Sequence, residues 1–276
     1  MSAIGDIATP PAAPSLRTII RGAGFIGLGA IGVLVGLADV LARAPANAEN
    51  VGAPLLAPTA LFPFGTDILG RDMASETLHA LAVTVTAAGF GALVTVLIGG
   101  LLGFLAARLP LALGLFARWI AGVLAAVPAL LLAILLIGLT DRSFAPLAAG
   151  VAAAPLAFVR AFDRARELGT SRHADFARAT GISRNALLRR DLAYEFRDTF
   201  LVNATRALAA VAIILSTVSF LGFGATPPHR DLGLMIGAAR DTFFDHWWTA
   251  TFPTIALASL ILCARLAAGL EEGERP

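Results

Sequence analysis

Six stretches of this chain run without charge, or with a single one, over lengths comparable to the hydrocarbon thickness of a bilayer: residues 22–38, 81–107, 119–140, 143–159, 200–224 and 247–264. A spanning helix needs about 20 apolar residues. Hydrocarbon offers no partner to a backbone N–H or C=O, so a span must close its hydrogen bonds within a helix or a sealed barrel. Continuous apolar runs without strict alternation favour the helix. The expectation is therefore an all-α polytopic membrane protein with six transmembrane helices. Composition agrees, with 57% hydrophobic residues, 14% charged residues and a mean hydropathy of +0.79. A soluble domain carries roughly 25% charged residues.

Charge placement sets the expected orientation. All 21 basic residues are Arg. With the N-terminus inside, fifteen fall on cytoplasmic segments (Arg17, Arg21, Arg108, Arg118, nine in 160–198, Arg265, Arg275). Five fall outside (Arg43, Arg71, Arg142, Arg230, Arg240), with Arg206 inside a span. That asymmetry predicts both termini in the cytoplasm. It also accounts for a pI near 9.4, so no nucleic-acid partner is expected; membrane lipids are. The predicted layout is a disordered cytoplasmic tail over 1–18, a first transmembrane helix over 19–43 and a periplasmic loop over 44–78. A five-span core follows over 79–270, with a cytoplasmic loop at 160–198, a periplasmic loop at 222–246 and a cytoplasmic tail at 271–276. The first apolar run exceeds the usual core of a signal peptide, so the Ala44-Pro45-Ala46 sequence beyond it is read as uncleaved. Gly32 and Gly36 are spaced for close helix packing.

The one long polar island, 160–198, carries nine Arg against six carboxylates. Lying between spans, it must face water and, in a chain this small, a partner. At its centre Asp175-Phe176-Ala177-Arg178-Ala179-Thr180-Gly181 predicts a short helix that gathers Phe176, Ala177 and Ala179, with Gly181 as its C-cap. The segment resembles the E-A-A-x-x-x-G loop of the membrane subunits of bacterial ABC importers, with Asp for Glu and Phe for the first Ala. In that family the loop is a coupling helix seated on the cytoplasmic ATPase. The resemblance implies coupling roles for Asp175, Phe176, Ala177, Arg178, Ala179 and Gly181 within 171–190.

Two further segments carry the same likeness. Residues 62–72 read as two tight turns at Gly65 and Gly70, with Asp67 and Asp72 capping local helices. With Thr66 and Arg71 they resemble the L-G-T-D-x-x-G-R-D segment of C-type permeases of the dipeptide, oligopeptide and nickel importer family. Residues 219–228 end the fifth span, where Gly222, Gly224, Pro227 and Pro228 terminate the helix in an extended turn. They look like the S-F-L-G-L-G-x-x-P-P segment of the same permeases. Residues 231–236 resemble their W-G-x-M-I stretch, with Leu232 in place of Trp. The Trp247-Trp248 pair is read as an interfacial anchor.

Membership of that family implies the type I ABC importer permease fold and a homologous second permease that completes the path. It also implies two ATP-binding subunits and a periplasmic or lipid-anchored solute-binding protein. Di- or oligopeptides are the implied cargo, with nickel, a metal chelate or an opine-like solute as the alternative.

The chain carries no G-x-x-x-x-G-K-[ST] loop, so ATP and Mg are expected on partner ATPases and no cofactor on this chain. Its four His are scattered without metal-ligand spacing, and no paired carboxylates suggest catalysis. No catalytic, cofactor-binding or metal site is expected: the reading is a transport subunit, not an enzyme. A secondary transporter or intramembrane enzyme would place converging ionisable residues within the spans. Only Arg206 lies well inside one. An Arg at the bilayer centre costs about 2.5 to 3.5 kcal/mol, which strong apolar neighbours offset. It either snorkels to the cytoplasmic headgroups or lines the pore and meets a substrate or partner.

Overall fold

The computed structural model describes residues 15–169, 200–225 and 229–269. Helix α1 (Leu16–Gly36) starts where the Ser15 hydroxyl accepts from the Thr18 amide at 3.3 Å, so residues 16–18, expected in the tail, form its first turn. After the single turn α2 (Ala38–Leu41), the chain runs irregularly to Asp72. Asp72 caps α3 (Met73–Thr95), accepting from the amides of Ala74 and Ser75. Residues 73–78, expected in the preceding loop, are thus helical. The rod continues through a π-helical turn (Val96–Leu101) into α4 (Leu102–Ala106), 34 residues in all.

The third span departs from a straight helix. Helices α5 (Leu111–Ala126) and α6 (Ala129–Leu139) meet at 89°. Pro128 lacks an amide proton and disfavours helical backbone in the residue before it; Val127 is accordingly extended, with ψ 129°. A 3-10 turn (Arg142–Phe144) leads into α7 (Ala145–Gly169), which carries the helix ten residues beyond the expected end of its span. Helices α8 (Phe200–Phe220), α9 (Leu232–Ala238) and α10 (Trp248–Ala268) complete the described chain. Among the described residues, five helices are long and apolar enough to cross a membrane, or six counting the elbowed pair as one span. Among the described residues the only β feature is an isolated bridge between Thr66 and Asp72.

Helices α3, α7 and α8 form the centre, with Ala88, Ala149, Val211 and Val218 fully buried where they meet. Small residues let helix backbones approach closely, which is the main source of packing energy when the solvent is itself apolar. Many large apolar side chains point outward, among them Leu113, Phe116 and Trp119 on α5, as the solvation of a membrane helix requires. Helix α1 packs along α10, but not through the expected pair. A Cβ at Gly24 would lie 2.1 Å from the Ala267 amide nitrogen, whereas Gly32 and Gly36 have nothing within 4 Å. Close contact depends on which face meets the neighbour, and spacing alone does not reveal that.

Within the expected 222–246 loop, α9 packs between α8 and α10 with Leu232 and Met235 buried. One other expectation changes. Trp248 is a packed residue rather than an interfacial anchor, 6% exposed, with its Nε1 donating to the Thr66 carbonyl at 3.2 Å.

Candidate functional site

A cavity of about 270 Å³ opens between α3, the α5–α6 elbow, α7 and α8, where two helical irregularities meet. The π turn of α3 contributes Val96 and Gly100, the elbow contributes Pro128 and Ala129, and α7 curves past with Pro155 inside its helix. Non-helical backbone at membrane depth is tolerated where it lines a cavity or is buried in protein, and π turns gather at functional sites. Thr95 anchors the π turn by donating to the Gly91 carbonyl at 3.0 Å and across to the Gly150 carbonyl of α7 at 2.9 Å. The polar part of the wall is Asn203 and Arg206 from α8 and Arg160 from α7. Arg206 therefore sits half-buried on the cavity wall, and a second guanidinium, unmarked in the sequence, shares that wall.

At the other end of α8 the two motif segments 62–72 and 219–235 come together. Gly65 and Gly70 both adopt positive φ, +71° and +67°, as the expected turns require. The Thr66 hydroxyl donates to the Ala53 carbonyl at 2.6 Å and accepts from the Leu56 amide at 2.8 Å. Asp72 caps α3 as expected. Asp67 caps no helix: its Oδ1 accepts from the amides of Leu69 and Arg71 and fixes the turn between them. The Arg71 guanidinium pairs with Glu49. Across the interface, Arg230 Nη1 lies 3.4 Å from Asp67 Oδ2 and 3.5 Å from Glu76 Oε2.

The turn after α8 is held as tightly. Gly222 takes φ +86°, and Gly224 lies so close to Ser219 that a Cβ would meet its hydroxyl. The Ser219 hydroxyl donates to the Asp231 carboxylate, the Asp231 carboxylate accepts from the Leu234 amide at 2.8 Å, and the Leu232 amide donates to Thr84 Oγ1 at 3.0 Å. Burial pushes the Asp231 carboxyl above the ordinary aspartate range, against the pull of its Ser219 and backbone hydrogen bonds. Pro227 and Pro228 lie outside the described residues, as do Asp175, Phe176, Ala177, Arg178, Ala179 and Gly181. What is described is the helical approach to that loop. Asp163, on the extension of α7, accepts two hydrogen bonds from Arg118 of α5, at 2.6 and 2.9 Å.

None of these long-range pairs was identified from sequence. In the sequence Asp67 and Arg71 stood out as motif residues and Arg230 and Arg118 only as loop charges, and the 163-residue separation of Arg230 and Asp67 leaves no local signal.

Bilayer-length helices around a cavity, with a polar clamp at one end of the bundle and a charged helix extension at the other, define a polytopic membrane protein. The chain belongs to the family of binding-protein-dependent transport system inner membrane components, whose model matches residues 99–271. A Brucella suis protein assigned by name to a peptide transport system as its permease is 30% identical over 271 residues, covering 95% of this chain and 90% of the relative. The peptide transport system permease protein of Haemophilus influenzae is 29% identical over 238 residues, 82% and 79% of the two chains. The di/tripeptide transport system permease protein of Pseudomonas aeruginosa is 27% identical over 211 residues, 75% and 69%. The chain is thus a multi-pass inner-membrane component of a binding-protein-dependent importer.

Proposed function

We propose that this chain is the permease subunit of an ATP-driven importer of di- or oligopeptides. It forms half of the translocation path with a homologous second permease and receives cargo from a solute-binding protein. Two ATPase subunits power it through the 171–190 loop, with both chain termini on their side of the membrane. The cavity between the π turn, the elbow and α8 carries the structural part of the reading, and the peptide-transport names of the relatives carry the choice of cargo.

Mechanically, α7 is the transmitting element. It runs as one helix from Ala145, at the clamp end, to Gly169, at the edge of the coupling loop. The Arg118–Asp163 pair ties it to α5, so a push on the loop moves α7 and the elbow as a body. Only contacts that differ in free energy between the two pore states can convert ATPase closure into opening. The wall of the cavity, with its broken backbone, supplies such contacts. Arg206 and Arg160 are the cationic side chains of that wall.

The test is reconstitution of the chain with its partner permease, ATPases and binding protein in proteoliposomes. ATP-dependent uptake of labelled dipeptides is expected, together with loss of ATPase copurification on Gly181→Trp or Asp175→Arg. Transport by the chain alone, or labelling that puts Arg178 on the face opposite the ATPases, overturns the reading. Arg206→Leu at unchanged membrane abundance should cut uptake at least ten-fold; full uptake removes Arg206 from the path.

A further inference from the structure

A second cavity, of about 300 Å³, lies at the clamp end of the same three helices, α3, α7 and α8. Its size falls at the lower end of small-molecule sites, roughly 300–1,000 Å³. Its wall carries Ser216, Ser219 and Asp231, and Arg142 and His229 are exposed residues that also line it.

Two of these groups lack the partner their burial calls for. Thr205, Thr217 and Ser259 return their hydroxyls to a backbone carbonyl one turn back, the usual arrangement in an apolar helix. Ser216 is only 5% exposed, and its hydroxyl has no hydrogen-bond partner among the described residues. On the same wall, the buried Asp231 accepts hydrogen bonds from the Ser219 hydroxyl and from the amides of Ala225, Gly233 and Leu234, so what it lacks among the described residues is a counter-charge and not a donor. The adjacent Arg230, which could have neutralised it, turns the other way to Asp67 and Glu76. Buried carboxylates are ordinarily paired with a cation. What is missing is therefore a compact cation with several N–H donors.

We propose that this cavity receives the free amino terminus of a transported peptide, its α-ammonium pairing with Asp231 and supplying the hydrogen bond that Ser216 lacks. The Arg142 guanidinium in the same wall suits a carboxylate, so the cavity is complementary to a short zwitterion entered amino end first. An ammonium carries three donors, enough for Asp231, Ser216 and Ser219 together. The inference rests on the peptide-importer reading above and assigns a subsite within it, distinct from the cavity at Arg206.

The test uses the whole transporter, with binding protein and ATPases, in proteoliposomes. The probes are L-alanyl-L-alanine and its N-acetyl derivative. Asp231→Asn keeps the volume and the helix-capping oxygen, since Asn caps as well as Asp; it removes the charge and replaces the oxygen that accepts from Ser219 with an amide nitrogen, toward which the Ser219 hydroxyl can turn its lone pairs. Ser216→Ala removes the unpartnered hydroxyl and leaves the cap untouched. Asp231→Asn is expected to lower alanyl-alanine uptake at least ten-fold and Ser216→Ala about three-fold, both at wild-type yield of the assembled complex. In Asp231→Asn the preference for the free over the acetylated peptide should collapse to the ratio of the binding protein's own affinities, which a structural role would not change.

If the wild type imports the dipeptide and both variants match it in rate and preference, the subsite is wrong and the importer stands. If both variants lose assembly along with uptake, Asp231 and Ser216 are structural and the subsite is again overturned. A wild type that imports no dipeptide removes the reading on which the subsite rests.

Discussion

Arg230 bridges Asp67 and Glu76, at 3.4 and 3.5 Å, and so joins two segments 163 residues apart in the chain. All three side chains are largely buried, at 16%, 12% and 5% exposure. Removing one member of a buried ion pair leaves an uncompensated charge and typically costs about 3 to 5 kcal/mol. Arg230→Met should therefore lower the melting temperature of the purified permease by several degrees. Adding Glu76→Gln should recover part of that loss. Equal melting temperatures for Arg230→Met and the wild type would show the clamp to be energetically idle.

The seam between α1 and α10 makes a sharper contrast. Gly24→Ala would place a methyl carbon 2.1 Å from the backbone nitrogen of Ala267, and neither helix can yield that distance without separating. Gly32→Ala meets nothing within 4 Å. Membrane abundance and melting temperature should fall for the first and hold for the second, although both are conventional glycine-to-alanine changes in one span.

Arg118 and Asp163 pair bidentately while remaining 42% and 45% exposed. Such pairs contribute about 0 to 1 kcal/mol to stability, so Arg118→Met should leave the melting temperature within a degree or two. Its effect should fall on coupling: fewer peptides imported per ATP hydrolysed, with restoration by the swap Arg118→Asp with Asp163→Arg. A changed melting temperature with unchanged stoichiometry would make the pair structural.

Asp231 gives a pH dependence with a definite sign. Burial raises its carboxyl above the unfolded value, so the native state holds its proton more tightly than the unfolded chain does. Its stability contribution is complete below the ordinary aspartate value of about 3.9 and is lost as pH rises through the raised native value. Asp231→Asn cannot ionise. Its melting temperature relative to wild type should rise as pH is taken from acid to neutral, while uptake falls as argued above. A pH-independent difference would mean that burial does not penalise this carboxylate.

Much of this protein is settled by its order of residues alone. Apolar runs such as 81–107 and 247–264 must be helices, because in lipid each backbone group needs a partner within its own segment. The turns at Gly65 and Gly70 and the cap at Asp72 are likewise local chemistry, and the structure has them where residue type demands. Pro128 keeps Val127 extended by a local effect, whereas the 89° between α5 and α6 is seen only in the tertiary structure. Tertiary structure alone decided that Gly24 rather than Gly32 meets α10, and that Trp248 turns inward to Thr66 instead of lying at the membrane surface. It also sent Arg230 to Asp67 and left Asp231 without a cation among the described residues. Solvation and backbone pairing act within one turn or one span and can be read in order along the chain. Which face meets which neighbour is fixed only when segments more than a hundred residues apart are brought into contact.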